Sequence, residues 1–207
     1  MIFFLATFIS PSFALASDKP AGNVEVFAGE VILKSRGKSE NLRIKKGYPV
    51  SVGDELILTQ DARAQVVFAD GSFVNITGEA VFSIGYYSNE GTPPASKAIV
   101  LFSGNAARFV VSKPTKSYLS VKTPTAMITS GNSDFAISSD EKRTVISVIS
   151  ESAVVRNSSP LIVGEVVIKT GRSAIIASDT PPSSPVTLSR KELSSLIRQN
   201  TFGETTR

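Results

Sequence analysis

The chain contains no cysteine, no histidine and no tryptophan. Without histidine it lacks the commonest general base and a versatile transition-metal ligand, and without cysteine it lacks the strongest side-chain nucleophile. No disulfide can staple the core, which for an exported chain fits a bacterial periplasm better than an animal extracellular space. Long hydrophobic runs are missing too: nothing reaches the roughly 20 apolar residues that cross a bilayer as a helix. There is no glycine-rich phosphate loop, no G-x-S-x-G elbow, no S-x-x-K at a helix start and no alternating Asp/Asn series for calcium. These absences point away from an enzyme and leave no cofactor or metal to expect.

Catalysis could then rest only on carboxylates, and those present read as turn residues. Asp54 and Glu55 are adjacent, so on a strand they face opposite sides. Asp70 stands in an Asp-Gly turn, Asp134 beside a strand, and Asp140-Glu141-Lys142-Arg143 forms a charged hairpin tip. An acid–base pair would need two of Asp54, Asp70, Asp134 and Glu151 to converge in a cleft. Ser35-Arg36 and Ser112-Lys113 read as turn dipeptides. The formal net charge of +4 is spread over residues such as Arg43, Lys45, Lys46, Lys113, Lys116 and Lys122, without the interleaved aromatics that bind single-stranded nucleic acid. Nucleic acid is not an expected partner.

The first residues carry a short apolar run, Ile2-Phe3-Phe4-Leu5-Ala6-Thr7-Phe8-Ile9, followed by Ser10-Pro11 and the small-residue pattern Ala14-Leu15-Ala16. This reads as a signal peptide over residues 1–16, cut near Ala16, although no basic residue precedes the run. No cysteine follows to carry a lipid anchor. The expected mature protein is periplasmic or secreted, with no stable membrane span once the signal is removed.

Beyond a tether over residues 17–22, short segments of alternating apolar residues are separated by turn residues every eight to twelve positions, as in a sandwich, roll or barrel. The clearest stretch is GYPVSVGDELILTQDARAQVVFADGSFVNITGEAVFSI, residues 47–84, where Asp70-Gly71 joins two such segments as a hairpin. Ser88-Asn89-Glu90-Gly91-Thr92-Pro93-Pro94 reads as an internal loop between two β-layers, because paired prolines cannot join a ladder. The β-domain is expected over residues 23–179. Residues 180–188, with Thr180-Pro181-Pro182-Ser183-Ser184-Pro185, read as an extended linker outside any ladder. Ser189-Arg190-Lys191-Glu192 has the form of a capping box, and Leu193, Leu196 and Ile197 follow at helical spacing, so residues 189–199 are expected to be a helix. A frayed tail follows over residues 200–207. The expected fold is all-β, an antiparallel β-roll or β-sandwich of stacked hairpins with a short C-terminal helix.

The residues Gly47, Val50, Gly53, Asp54, Leu56 and Thr59, followed by Ala64, Val66, Phe68, Asp70, Gly71 and Ser72, resemble the FecR-type periplasmic domain. That family shows a G-x-x-L/V-x-x-G-D-x-L/I-x-T segment and then an A-x-V-x-F-x-D-G-S hairpin. A second family element, T-P-x-A leading to a Gly-Thr-x-Phe strand, is similar to Thr123-Pro124-Thr125-Ala126 and Gly131-Asn132-Ser133-Asp134-Phe135, with Asn132 in place of Thr and one further residue before Phe135. The resemblance spans roughly residues 24–176 and rests on turn and core positions, which specify architecture rather than chemistry. It implies a free-standing FecR-like domain without the cytoplasmic anti-sigma region.

The function expected from the resemblance is a non-catalytic adaptor or regulatory module that binds another protein of the bacterial cell envelope. Candidate contact residues are Leu193, Leu196 and Ile197, on a helix too short to be stable undocked, and the neighbouring Tyr86 and Tyr87. Packing of the helix on its own domain competes with docking to a partner. The alternative function is a module for cell-wall glycan or another envelope polymer, using tyrosines and mild positive charge.

Overall fold

The computed structural model of the chain describes residues 20–38, 41–90, 95–111 and 118–202. The expected signal peptide, Gly91 to Pro94, Ser112-Lys113, Lys116 and the last five residues of the tail lie outside them. The fold is all-β with one short C-terminal helix. The strands, in chain order, are β1 (Gly22–Ala28), β2 (Val31–Lys34), β3 (Asn41–Arg43), β4 (Tyr48–Val50), β5 (Glu55–Leu58), β6 (Arg63–Phe68), β7 (Phe73–Glu90), β8 (Ala95–Val110), β9 (Tyr118–Lys122), β10 (Ala126–Ser130), β11 (Asp134–Ser139), β12 (Arg143–Ser150), β13 (Ser152–Asn157), β14 (Glu165–Lys169), β15 (Arg172–Ala177) and β16 (Val186–Thr187). Helix α1 (Arg190–Gln199) closes the chain.

Two unusually long strands organise everything. β7 and β8 form one antiparallel hairpin, and each has two different neighbours along its other edge. The first half of β7 pairs with β6 and its second half with β5. The second half of β8 pairs with β11 and its first half with β9. One layer therefore runs β4-β1-β6-β7-β8-β11-β12-β15-β16, and the other β3-β2-β5-β7-β8-β9-β10-β13-β14.

The hairpin passes between layers at Gly78 and Gly104. Register shifts between Thr77 and Ala80, where Gly78 takes a φ of +79°. A Cβ on Gly104 would lie 2.4 Å from that of Ala80 and 2.7 Å from the Glu79 carbonyl oxygen, so only glycine fits. The bend is sharp. Phe102 and Phe109 would be about 23 Å apart along a straight strand, yet their rings meet edge to face with centroids 6.3 Å apart. Phe135 stacks on Phe109 at 5.3 Å. One apolar core fills the space between the layers, with Val24, Val66 and Ile76 from one and Leu33, Leu56, Val121 and Val155 from the other.

Four expectations change in detail. The segment Ser88-Asn89-Glu90 belongs to β7 and does not divide two layers; Asn89 pairs with Ser96, because the β7–β8 ladder continues beyond the core and tolerates polar residues there. The sheet is not wholly antiparallel, since β9 runs parallel to β8. Residues of the 180–188 linker do enter a ladder: Val186 and Thr187 pair with β15, whose outer edge is free to receive N–H groups that the prolines lack but their neighbours keep. The last residues of the tether and the start of the tail are packed: Ala21 is buried and its N–H donates to the Val50 carbonyl, and Asn200 is 2% exposed.

Candidate interaction surfaces

The two layers have outer faces of opposite character, and the pairing registers show why. Across the first layer the outward positions Glu25, Gln65, Asn75, Arg108, Ala136, Ser147 and Ser173 form one transverse row. All but Ala136 are polar residues in the outward slots of alternating strands, yet from Gln65 to Ser173 every one is buried. The C-terminal segment lies on Asn75 and Arg108 of this row. It leaves the sheet edge at β16, and Asn75 Nδ2 donates to the Asn200 carbonyl at 2.9 Å. Arg108 donates to the Thr201 hydroxyl, and Phe202 meets Phe27 on β1 edge to face at 5.4 Å. The segment from α1 to Phe202 is thus a strap across the layer.

The strap is held by polar pairing more than by its helix. Gln65 Nε2 donates to Asn75 Oδ1 at 2.8 Å, which orients the amide toward Asn200. Arg108 makes a two-pronged contact with Asp134, Nε to Oδ1 at 2.9 Å and Nη2 to Oδ2 at 2.7 Å, with both side chains largely buried. In α1 itself no residue is fully buried, and Leu193, Leu196 and Ile197 are half-buried. The capping box is present: Glu192 N–H donates to Ser189 Oγ, and Ser189 N–H donates to the Glu192 carboxylate at 2.7 Å. Hydrogen bonds from the Ser189 side chain and its backbone N–H hold the Glu192 carboxyl below its ordinary range.

The other layer's outer face is open among the described residues and carries exposed apolar residues, with Ser83, Ser103, Ser120, Thr129 and Lys122 set among them. Ile32, Ile57 and Val81 form one row, Tyr86, Ile99, Val154 and Val167 lie in another, and Leu101 and Met127 stand between them. Val81, Tyr86, Ile99, Leu101, Tyr118, Val154 and Val167 are each at least 36% exposed. A shallow groove of about 300 Å³ runs past Val81, Leu101, Lys122 and Pro124. Beside it the Ser158 hydroxyl donates to the Pro124 carbonyl, so the β13–β14 loop adjoins the groove and presents Leu161 and Val163, 89% and 85% exposed.

The tyrosine pair is split between surfaces. Tyr86 faces out from the bare layer, whereas Tyr87 turns inward and stacks on Phe68 at 5.6 Å. Burial, with the nearby Asp70 carboxylate, pushes the Tyr87 phenol up to about 12.

The motif residues are architectural. Gly47, Gly53 and Gly71 hold positive φ at turns, Asp54 accepts from Ser51 N–H, and Asp70 accepts from Ser72 N–H. Thr123 and Thr125 flank Pro124 and reach across to the other layer: both hydroxyls bond Thr144 Oγ1, at 2.6 and 2.8 Å, and Thr125 also donates to the Ile176 carbonyl. The T-P-x-A element is therefore a polar staple between layers. Phe135 fills the core, and in the preceding turn, after Gly131, Asn132 takes a φ of +49°, absorbing the additional residue. Asp54, Asp70, Asp134 and Glu151 stand on separate turns or strand starts, and among the described residues no group of three or more acidic side chains could hold a metal. Asp140 caps its hairpin, and the Lys142 and Arg143 N–H groups lower its carboxyl. No helix of the described residues is long and apolar enough to cross a membrane.

Sequence reasoning missed Asn75, Arg108 and Asn200. Polar residues in alternating strands look like solvent-facing positions, and only an Arg amid the apolar 106–111 segment hinted at a partner.

An all-β sandwich built on a shared bent hairpin matches known structures. Two crystal structures of a proposed anti-sigma factor from Parabacteroides distasonis, at 1.65 and 2.50 Å resolution, superpose with TM-scores of 0.54 and 0.55 at 16% identity, covering 69% of this chain and 64% and 63% of theirs. The chain thus spans under two thirds of the length of those proteins. No curated protein matches it significantly. Residues 54–154 match the model of the FecR protein family.

Proposed function

We propose that the chain is an exported, non-catalytic FecR-like module that binds another protein in the bacterial cell envelope, as an adaptor or regulatory element. The observation that carries the reading is the FecR match over residues 54–154, which includes both arms of the bent hairpin and the central strands of the layer that holds the open face. The separation of the carboxylates, the architectural role of the motif residues and the large exposed apolar face all favour recognition over chemistry. Export rests on the Ala14-Leu15-Ala16 pattern and on a core that needs no disulfide.

The test is crosslinking in intact cells, followed by purification from the envelope fraction. The expected result is a mature chain beginning at Ser17, found outside the cytoplasm and joined to a defined protein. An uncleaved cytoplasmic chain would refute export. Recovery of cell-wall glycan alone would refute the protein-binding reading.

A further inference from the structure

From the bare outer layer we infer a docking site for an amphipathic helix of a partner protein whose polar side is acidic. This deepens the protein-binding reading and rests on it.

The first observation is the contrast with the strapped layer. There the chain's own residues 200–202, just beyond its amphipathic helix, bond Asn75 and Arg108 of the polar row and meet Phe27 of β1. The opposite face, with Val81, Ile99, Leu101 and Val167 exposed in its outward slots, has no segment of the described residues over it. Several large apolar side chains exposed on one sheet face mark a recognition surface. The groove past Val81, Leu101 and Pro124 gives side chains at helical spacing a place to seat.

The second observation is charge. The face carries Lys34, Lys97, Lys122, Arg156 and Lys169 against Glu55 and Glu165. Glu55 is taken by Lys34 at 3.3 Å, and Glu165 lies opposite Arg156 in the ladder. Lys97, Lys122 and Lys169 make no ion pair among the described residues. Lys122 is the most telling, because its register places it between the apolar Leu101 and Met127. Two copies of this chain meeting through the face would bring unpaired lysines together. A bilayer would have to receive Lys122 between those apolar residues. A helix with carboxylates beside its apolar stripe satisfies both features, since it covers the exposed apolar residues and pairs the lysines.

The test uses the full mature chain as target for a displayed library of random peptides of about 15 residues, enough for a marginal helix. The expected winners repeat apolar residues at i, i+3, i+4 and i+7 with Asp or Glu alongside. Their binding falls more than about tenfold in Leu101→Glu and less in Lys122→Glu, and weakens as salt rises. Melting curves confirm that both variants fold, as exposed positions should. No winners, winners without acidic residues, or binding indifferent to Leu101→Glu would overturn the inference. So would phosphatidylglycerol vesicle binding, or dimerisation seen by sedimentation, that Leu101→Glu abolishes in the absence of peptide binding. If the envelope partner is still crosslinked by Leu101→Glu, the docking site falls while the protein-binding reading stands; if the unaltered chain captures no protein, that reading falls as well.

Discussion

The two outer faces of this sandwich reverse the ordinary expectation. The polar one is covered and the apolar one is open. On the strapped layer, Asn75 and Arg108 occupy slots that alternation assigns to solvent, and the C-terminal segment supplies the partners they lose to burial, the Asn200 carbonyl and the Thr201 hydroxyl. On the bare layer, Val81, Ile99 and Leu101 occupy the equivalent slots with no cover among the described residues. The lesson is that outward pointing on a strand fixes only which side of the sheet a residue joins. Whether that side is wet depends on what the rest of the chain lays across it.

The comparison is broken most severely at Arg108. Arg108→Ala leaves Asp134 largely buried without its guanidinium and should cost about 3 kcal/mol, whereas Leu101→Ala on the open face should change stability by less than about 0.5 kcal/mol. Urea unfolding of the two variants side by side checks this, and equal losses would mean the faces do not differ as described.

A smaller effect sharpens the role of the strap. Asn75→Ala removes the donor to Asn200 and the acceptor for Gln65, for a loss of about 1 to 2 kcal/mol. Amide exchange should accelerate in residues 190–202 well beyond its change in the core strands. Uniform acceleration would indicate that the strap has no opening of its own.

The smallest effect lies at the start of the helix. Ser189→Ala should cost about 1 kcal/mol or less, because the helix end is exposed. The Glu192 carboxyl is lowered in the folded state, so its contribution is present above the unfolded carboxylate range and lost as pH falls through the lowered value. Helicity of the strap should therefore decline on acidification in the parent, and less so in Glu192→Gln. A pH-independent signal in the parent would remove the capping box from the account.

The capping box shows how far the sequence could be read. Ser189-x-x-Glu192 acts within four residues, so the helix start was legible, as were the Asp54 and Asp70 turns. Ser88 to Glu90 misread because turn-favouring residues were judged locally, while a long ladder held them. Val186 and Thr187 misread because the open edge of β15 is remote in the chain. The Thr123, Thr125 and Thr144 staple was visible only as a motif, its bonds joining residues up to 51 positions apart.

What the sequence determined by itself was the local part: alternation made strands, Gly and Asp made turns, a capping box started the helix, and the lack of histidine and cysteine narrowed the chemistry. Tertiary structure decided which strands share a layer, that β7 and β8 bend at Gly78 and Gly104 to serve both, and which outer face is covered. Those choices depend on contacts between distant segments, and a period-two pattern is the same whether a helix, a partner or water lies against it.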